Sequence, residues 1–190
     1  MKPMLPTPQA WFAACRIQAT QIMPYFSSAV MGLSPYQMPG LKTMGVTKRG
    51  VLIWDPELYK VWTVENGAWT LLHEACHYLR NHASRHVLVG VDNAEKALLW
   101  NYSTDAEIDD DLVAAGAKYP SVDGQFIHES MAGETVHYQV LPGDFGAEEG
   151  HMAEEYYDIL RKKHPPKHKS GVVCRQGGGG KKGKKGEDQP

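Results

Sequence analysis

The stretch TLLHEACHYLRNH, residues 70–82, places two histidines four positions apart, with a glutamate directly after the first. Residues four apart on an α-helix lie one above the other, so His73 and His77 would present their imidazole rings to one point. Two of the four positions around a zinc ion would then be filled. Glu74 lies about 100° further around the helix, where it would reach a water on the metal but not the metal itself. The spacing therefore predicts two metal ligands and a general base.

The residues around the histidines predict that this helix lies beside a core. An apolar face is formed by Trp69, Leu72, Cys76 and Leu79. We interpret Cys76 as a packing residue, because it lies about 40° from Leu72 on that face. A metal bound beside this face would be shielded from bulk water.

The motif needs a third ligand, and the nearby histidines do not supply one. A metzincin would carry a histidine six residues after His77, and that position is Ala83. His82 and His86 miss the required spacing, so we interpret them as surface or loop histidines.

Two acids on the next predicted helix are candidates for the third ligand. Glu95 would suit a thermolysin-like arrangement. Asp105 is the better candidate, because it falls in the middle of the apolar stripe formed by Ala94, Leu98, Ile108 and Leu112. A carboxylate that faces a core is costly unless it is paired or bound to a metal, so the alternative is a buried hydrogen bond or salt bridge.

The other acids of that helix are expected to have different roles. Asp109 lies one turn from Asp105 near the same face, and we predict that it orients a histidine ring. Glu107, Asp110 and Asp111 point away from the stripe, so we expect them to be solvated.

For the chain as a whole, the sequence predicts an α+β fold, mainly helical, with a small mixed or antiparallel sheet beside the motif helix. VLIWD, residues 51–55, is the best strand candidate. If it lies at a sheet edge beside the site, it would align an extended substrate by strand addition; the alternative is an ordinary core strand. Residues 81–90 lose the apolar period and are expected to form a loop. Helices are predicted from Thr7 to about Met23, from Asn66 or Gly67 to about His82, from Asp92 or Asn93 to near Gly116, and over residues 147–163.

Charge divides the chain into two parts. Residues 161–190 hold ten Lys and Arg and two acids, whereas residues 1–160 hold ten basic and twenty acidic residues, a net charge of −10. We expect one domain over residues 1–164 and a disordered Gly/Lys-rich tail over residues 165–190. The tail would make at most a weak contact with nucleic acid or another polyanion, and the simpler interpretations are a solubilising segment or one that lies on the acidic part of the chain itself.

The three cysteines, Cys15, Cys76 and Cys174, are odd in number and widely spaced, which fits reduced thiols better than disulfides. The first residues lack the apolar core of a secretory signal, and no run is long enough to cross a membrane. These features predict a cytoplasmic protein with no membrane partner.

Five sequence motifs occur in the same order as in a family of zinc metallopeptidase domains, and the chain resembles that family. Its members are found beside von Willebrand A-type domains in bacteria, and also in phages. The resemblance runs from about Pro24 to Leu160. Its landmarks here are MPYFSSAV, VLIWDPELYKVW, HEACHYLRNH, NYSTDAEID and LPGDFGAEEGHMAEEYYDIL. The chain departs from the family pattern at Ser103, where a small apolar residue is usual, and at Asp109, where Asn is common.

The resemblance implies a zincin-like fold, a Zn²⁺ cofactor held by His73, His77 and Asp105, and Glu74 as catalytic base. The expected function is hydrolysis of a peptide or protein substrate. Neutral donors to the oxyanion would come from His128, His137 or Tyr138 in the irregular segment. Two rivals stay open: a non-catalytic metal-binding zincin-like accessory protein, and a nucleic-acid-associated protein that acts through its basic tail.

Overall fold

The computed structural model describes residues 7–117, 127–129, 135–137 and 139–163. The fold is α+β and mainly helical with a small mixed sheet, as predicted. The helices are α1 Pro8–Ile22, α2 Ser27–Gly32, α3 Val64–Leu79, α4 His82–Arg85, α5 Ala94–Ala114 and α6 Ala153–Lys163. The strands are β1 Ser34–Gln37, β2 Met44–Val46, β3 Val51–Trp54, β4 Ile127–Glu129 and β5 Thr135–His137.

Helix α1 packs along α3 and begins as the sequence predicts. The Thr7 side chain accepts a hydrogen bond from the Ala10 amide, and Pro8 occupies the first helical position, where its missing N–H costs nothing. The two helices come closest at Gly67, where an added Cβ would lie 2.8 Å from Trp11 Cζ2 and would also collide with the Cys15 sulfur. Gly67 therefore permits the contact that places α3 against the core.

We expect Gly67→Ala to destabilise the protein by about 1–3 kcal/mol, because the added methyl would overpack the α1–α3 contact. Urea unfolding followed by circular dichroism would measure the change. Gly32→Ala is the matched control, since a Cβ at Gly32 meets no described atom within 4 Å. A Gly67→Ala protein as stable as the wild type would contradict this close approach.

The predicted strand VLIWD is found as β3, Val51–Trp54, but it is the central strand of its sheet. The order is β1-β3-β2, with β1 parallel and β2 antiparallel to β3. Because both sides of β3 are already paired, the hypothesis that it receives a substrate at a sheet edge is wrong. The edge facing α3 is β2, a strand of only three residues within a Gly- and Pro-rich stretch, which is why its position was not evident.

Helix α3 begins earlier and ends sooner than predicted. The Thr63 side chain caps it by accepting from the Asn66 amide, so the helix starts at Val64. It ends at Leu79, because Asn81 adopts a left-handed conformation with φ of 54°, which Asn tolerates better than most residues. The chain then re-enters a short helix, α4, where a loop was expected.

Helix α5 begins after the Asn93 cap, one of the two caps that were predicted. It packs against α3 on one side and α6 on the other, so its middle is buried all round. The expectation that Glu107 and Asp110 are solvated is therefore wrong: they are 4% and 6% exposed. Asp111 is exposed as expected and pairs with Arg80.

The two buried acids of α5 hold the start of α6. Glu107 Oε2 accepts a hydrogen bond from the Ala153 amide at 2.8 Å, and the Tyr156 hydroxyl lies 3.0 Å from Asp110 Oδ2. A carboxylate at a helix N-terminus satisfies an unpaired N–H and complements the helix dipole. Helix α6 itself begins at Ala153, six residues later than predicted.

None of the helices in the described ranges is long and apolar enough to cross a membrane. The predicted disordered tail, residues 165–190, lies outside the described residues, as do residues 1–6. The boundary predicted at residue 164 follows directly after the last described residue and stays a prediction.

Candidate metal centre

Three side chains from two helices converge at one buried point. Helix α3 supplies His73 and His77, one turn apart, and α5 supplies Asp105. His73 Nε2 lies 3.0 Å from His77 Nε2, and Asp105 Oδ1 lies 3.5 and 3.2 Å from these two nitrogens. The structure thus brings together the three residues predicted as ligands, and they form the group in the described ranges that could hold a metal ion.

The spacing of the three atoms suits a small metal ion. Ligand atoms arranged tetrahedrally at about 2.0–2.2 Å from zinc lie roughly 3.3–3.6 Å from one another. The observed separations of 3.0, 3.5 and 3.2 Å are close to that range. Little movement of α3 against α5 would be needed to accommodate an ion.

The Asp105 carboxylate supplies a second observation that favours a cation at this point. Its Oδ2 accepts a hydrogen bond from Asn101 Nδ2 at 2.9 Å. Its Oδ1 is buried and accepts no well-oriented hydrogen bond from any residue that the structure describes. A buried carboxylate oxygen without a donor is costly, and a cation at the centre of the triad would remove that cost.

The protonation states of Asp105 and His77 are compatible with ligation. Burial would raise the pKa of Asp105, but the two imidazoles hold it well below its usual range. Burial lowers the pKa of His77 to about 4 although Asp105 opposes it, so His77 is a neutral donor at pH 7.

His73 behaves differently from His77. Burial lowers its pKa, but Asp109 and Asp105 outweigh burial and raise the pKa of His73 well above 6.5. A metal would have to displace this proton, so metal affinity would fall as the pH falls.

Asp109 lies where it was predicted, behind a histidine ring. Its Oδ1 is 3.0 Å from His73 Nδ1, and its Oδ2 accepts a hydrogen bond from the Val140 amide at 2.8 Å. An Nδ1–H donated to this carboxylate leaves His73 Nε2 free to bind a metal.

The interpretation of His82 as a surface or loop histidine is wrong. His82 is 0% exposed, and its Nδ1 lies 3.0 Å from His77 Nδ1. It reaches this position because the left-handed turn at Asn81 folds α4 back beneath α3. Spacing along a continuous helix could not reveal the contact.

Glu74 is positioned between the motif helix and the sheet. It is buried, and its Oε2 accepts a hydrogen bond from the Val46 amide of β2 at 2.9 Å. Backbone of the edge strand therefore orients the predicted base.

Beside the triad lies a cleft that is open to solvent. One wall is β2 with the turn that follows it, and the other is formed by α3, α4 and α5. Glu74 and His77 open into it, and its lining comprises Gly45, Val46, Thr47, Lys48, Glu74, His77, Tyr78, Asn81, Ala83 and Asn101. A substrate in this cleft would contact both the predicted base and one predicted ligand.

The other residues singled out in the sequence lie away from the triad or outside the residues that the structure describes. Glu95 is exposed in the first turn of α5, ten residues or about 15 Å along the helix from Asp105. Cys76 is buried in the core, as predicted. The side chains of His128, His137 and Tyr138 are outside the described part of the structure.

The fold and the site define an α+β protein whose motif helix and downstream aspartate bring three candidate metal ligands together beside a cleft. The chain belongs to the family described as "Putative metallopeptidase domain", whose family model matches residues 11–190. Comparisons with curated proteins and with solved structures found no match. The predicted metallopeptidase family is confirmed, whereas its association with von Willebrand A-type domains and with phages stays a prediction.

Proposed function

We propose that this protein is a zinc-dependent peptidase with a zincin-like arrangement of its site. His73, His77 and Asp105 would hold the zinc. Glu74 would act as general base. The observation that carries this proposal is the convergence of three buried donor atoms next to the cleft that Glu74 lines; one of them is Asp105 Oδ1, which accepts no well-oriented hydrogen bond from the described residues.

The donor set favours zinc over the commoner hard cations. Two imidazoles and one carboxylate are typical of catalytic zinc sites, which keep one position open, whereas magnesium and calcium prefer oxygen ligands throughout. A zinc ion bound there would act as a Lewis acid and lower the pKa of water to about 7.

The protein's own groups would then move the proton. Glu74 would accept the proton of the attacking water and return it to the leaving amine. The Val46 N–H donates to Oε2 with an N···O distance of 2.9 Å, and so holds the Glu74 carboxylate beside β2 at the cleft. Asn101 and Asp109 would hold Asp105 and His73 in their ligating orientations.

An extended peptide substrate would lie along β2. This strand is a sheet edge, and Gly45, Val46 and Thr47 line the cleft. Edge strands offer backbone groups to an added strand, here those other than the Val46 N–H, which donates to Glu74, so β2 would take the role that the sequence suggested for VLIWD. Contact of the basic tail with a polyanion, and a cytoplasmic location, remain parts of the proposal that rest on composition.

Zinc content and hydrolysis by the full chain test this proposal. We expect about one zinc per chain by mass spectrometry of the purified protein, and cleavage of a broad peptide library. Removal of zinc with a chelator should abolish cleavage, and added zinc should restore it.

The possible results separate the rival functions. Bound zinc without any cleavage of the library would favour a non-catalytic metal-binding role. A chain that binds no zinc would overturn both interpretations.

A further inference from the structure

A buried chain of hydrogen-bonding groups leads from the candidate metal ligand His77 to α6. His77 Nδ1 lies 3.0 Å from His82 Nδ1, and His82 Nε2 lies 3.3 Å from Glu107 Oε2. The Trp100 indole N–H donates to the His82 carbonyl at 3.3 Å and so anchors the backbone of His82. Each ring nitrogen of His82 therefore has a hydrogen-bonding partner, His77 for Nδ1 and Glu107 for Nε2.

The chemistry of ligation assigns the direction of each hydrogen bond. Nε2 of His77 faces the triad, so it must keep its lone pair free, and the proton of the neutral ring must then lie on Nδ1. That N–H can only donate to His82 Nδ1 if His82 is unprotonated there. The proton of His82 then lies on Nε2 and is donated to the Glu107 carboxylate.

We propose that His82 is a positioning residue. It selects the tautomer of His77 that can bind the metal, and as a relay it links His77 to the Glu107 carboxylate by hydrogen bonds. This inference rests on the proposed function, because it presumes that His77 binds the metal through Nε2. A carboxylate behind a ligating histidine fixes the ring and raises its basicity. Here a second imidazole stands between the ligand and the carboxylate.

Glu107 is held firmly at the far end of this chain. Its Oε1 accepts from Arg80 Nη1 at 2.9 Å, and its Oε2 accepts from the Ala153 amide at 2.8 Å. Arg85 Nη2 lies 3.4 Å from the same Oε2. These partners are Arg80, which follows α3, Arg85 in α4 and Ala153 in α6, so the relay connects the metal site to the packing of α6.

The two histidine ligands are thus supported in different ways. His73 meets the Asp109 carboxylate directly, whereas His77 reaches Glu107 only through His82. A neutral relay transmits less negative charge than a direct carboxylate does, so His82 acts mainly by fixing the ring and its tautomer.

Zinc affinity of His82 variants tests the relay. His82→Phe keeps an aromatic ring but removes the acceptor, and we expect zinc binding about 10- to 100-fold weaker, measured by competition with a chromophoric chelator. His82→Asn places an amide oxygen near the position of Nδ1, so it should recover part of the loss. His86→Phe, a change at a half-buried histidine four residues away, should leave the affinity unchanged.

Tautomers of the zinc-loaded wild-type chain supply a second readout that does not depend on how well the variants fold. Long-range ¹⁵N–¹H correlation spectra should show His77 protonated at Nδ1 and His82 protonated at Nε2. A His82 protonated at Nδ1, or a His82→Phe protein with wild-type zinc affinity, would overturn the relay while leaving the peptidase proposal intact. A wild-type chain that binds no zinc would overturn both.

Discussion

Glu74→Gln is expected to lower peptide hydrolysis by about 10²- to 10⁴-fold while the protein keeps its full zinc content. Glutamine has nearly the same shape as glutamate, and its amide oxygen can still accept the hydrogen bond from the Val46 amide. What the variant loses is the ability to take up a proton. Initial rates on a peptide cleaved by the wild type, with zinc measured on the same samples, give both quantities.

Glu65→Gln is the matched control for this experiment. Glu65 is an exposed acid in the first turn of the same helix, so its substitution changes the charge of α3 without touching the cleft. We expect wild-type rates. If Glu74→Gln cleaves the peptide as fast as the wild type, Glu74 is not the base and another group must activate the water.

Asp105→Asn is expected to weaken zinc binding by at least about 100-fold, more than changes behind the ligands usually cost. A neutral amide is a poor zinc ligand, and the substitution removes the one negative charge among the three donor groups. It also removes a carboxylate whose ionised form His73 and His77 stabilise, so the metal-free protein should be less stable than the wild type. Chelator competition measures the affinity, and urea unfolding of the metal-free protein measures the stability.

Glu95→Gln distinguishes the two acids that the sequence offered as the third ligand. Glu95 lies exposed at the far end of α5, and its substitution should leave zinc affinity at the wild-type value. The opposite pattern, with affinity lost in Glu95→Gln and retained in Asp105→Asn, would show that the triad has been assigned to the wrong carboxylate.

The metal-site candidate was largely predictable because its determinants are local. The i, i+4 spacing of His73 and His77 places two rings together on any α-helix, whatever surrounds it. Asp105 was recognisable because an acid in an apolar stripe needs a hydrogen-bonding partner, an opposite charge or a metal ion. Asp109 followed from its position one turn further along the same face.

The relay behind His77 was not predictable, because it depends on a break in the helix. His82 falls five residues after His77, a spacing that would carry it to another face of a continuous helix. The left-handed Asn81 turns the chain back, so His82 returns beneath the ring that it supports. Asn at that position was the available signal, but an Asn does not always adopt this conformation.

The burial of two acids of α5 was also not predictable from the sequence. Of the predicted apolar stripe, Ile108 and Leu112 are buried in the main core, whereas Ala94 is exposed and Leu98 is half-buried. Glu107 and Asp110 are buried because they pack against the N-terminal part of α6. The spacing of apolar residues along α5 did not indicate that a second helix would cover this face.

Sequence pattern thus specifies the α+β class, the motif helix, its candidate base and the three candidate ligands, because helical periodicity and the cost of a buried charge act within one or two elements. Packing between distant elements decides the rest. It places β2, not β3, at the edge beside Glu74, buries His82 against His77, and turns two expected surface acids into buried partners of α6, Glu107 at the Ala153 amide and Asp110 at the Tyr156 hydroxyl. These features depend on contacts between residues far apart in the chain, which no local period encodes.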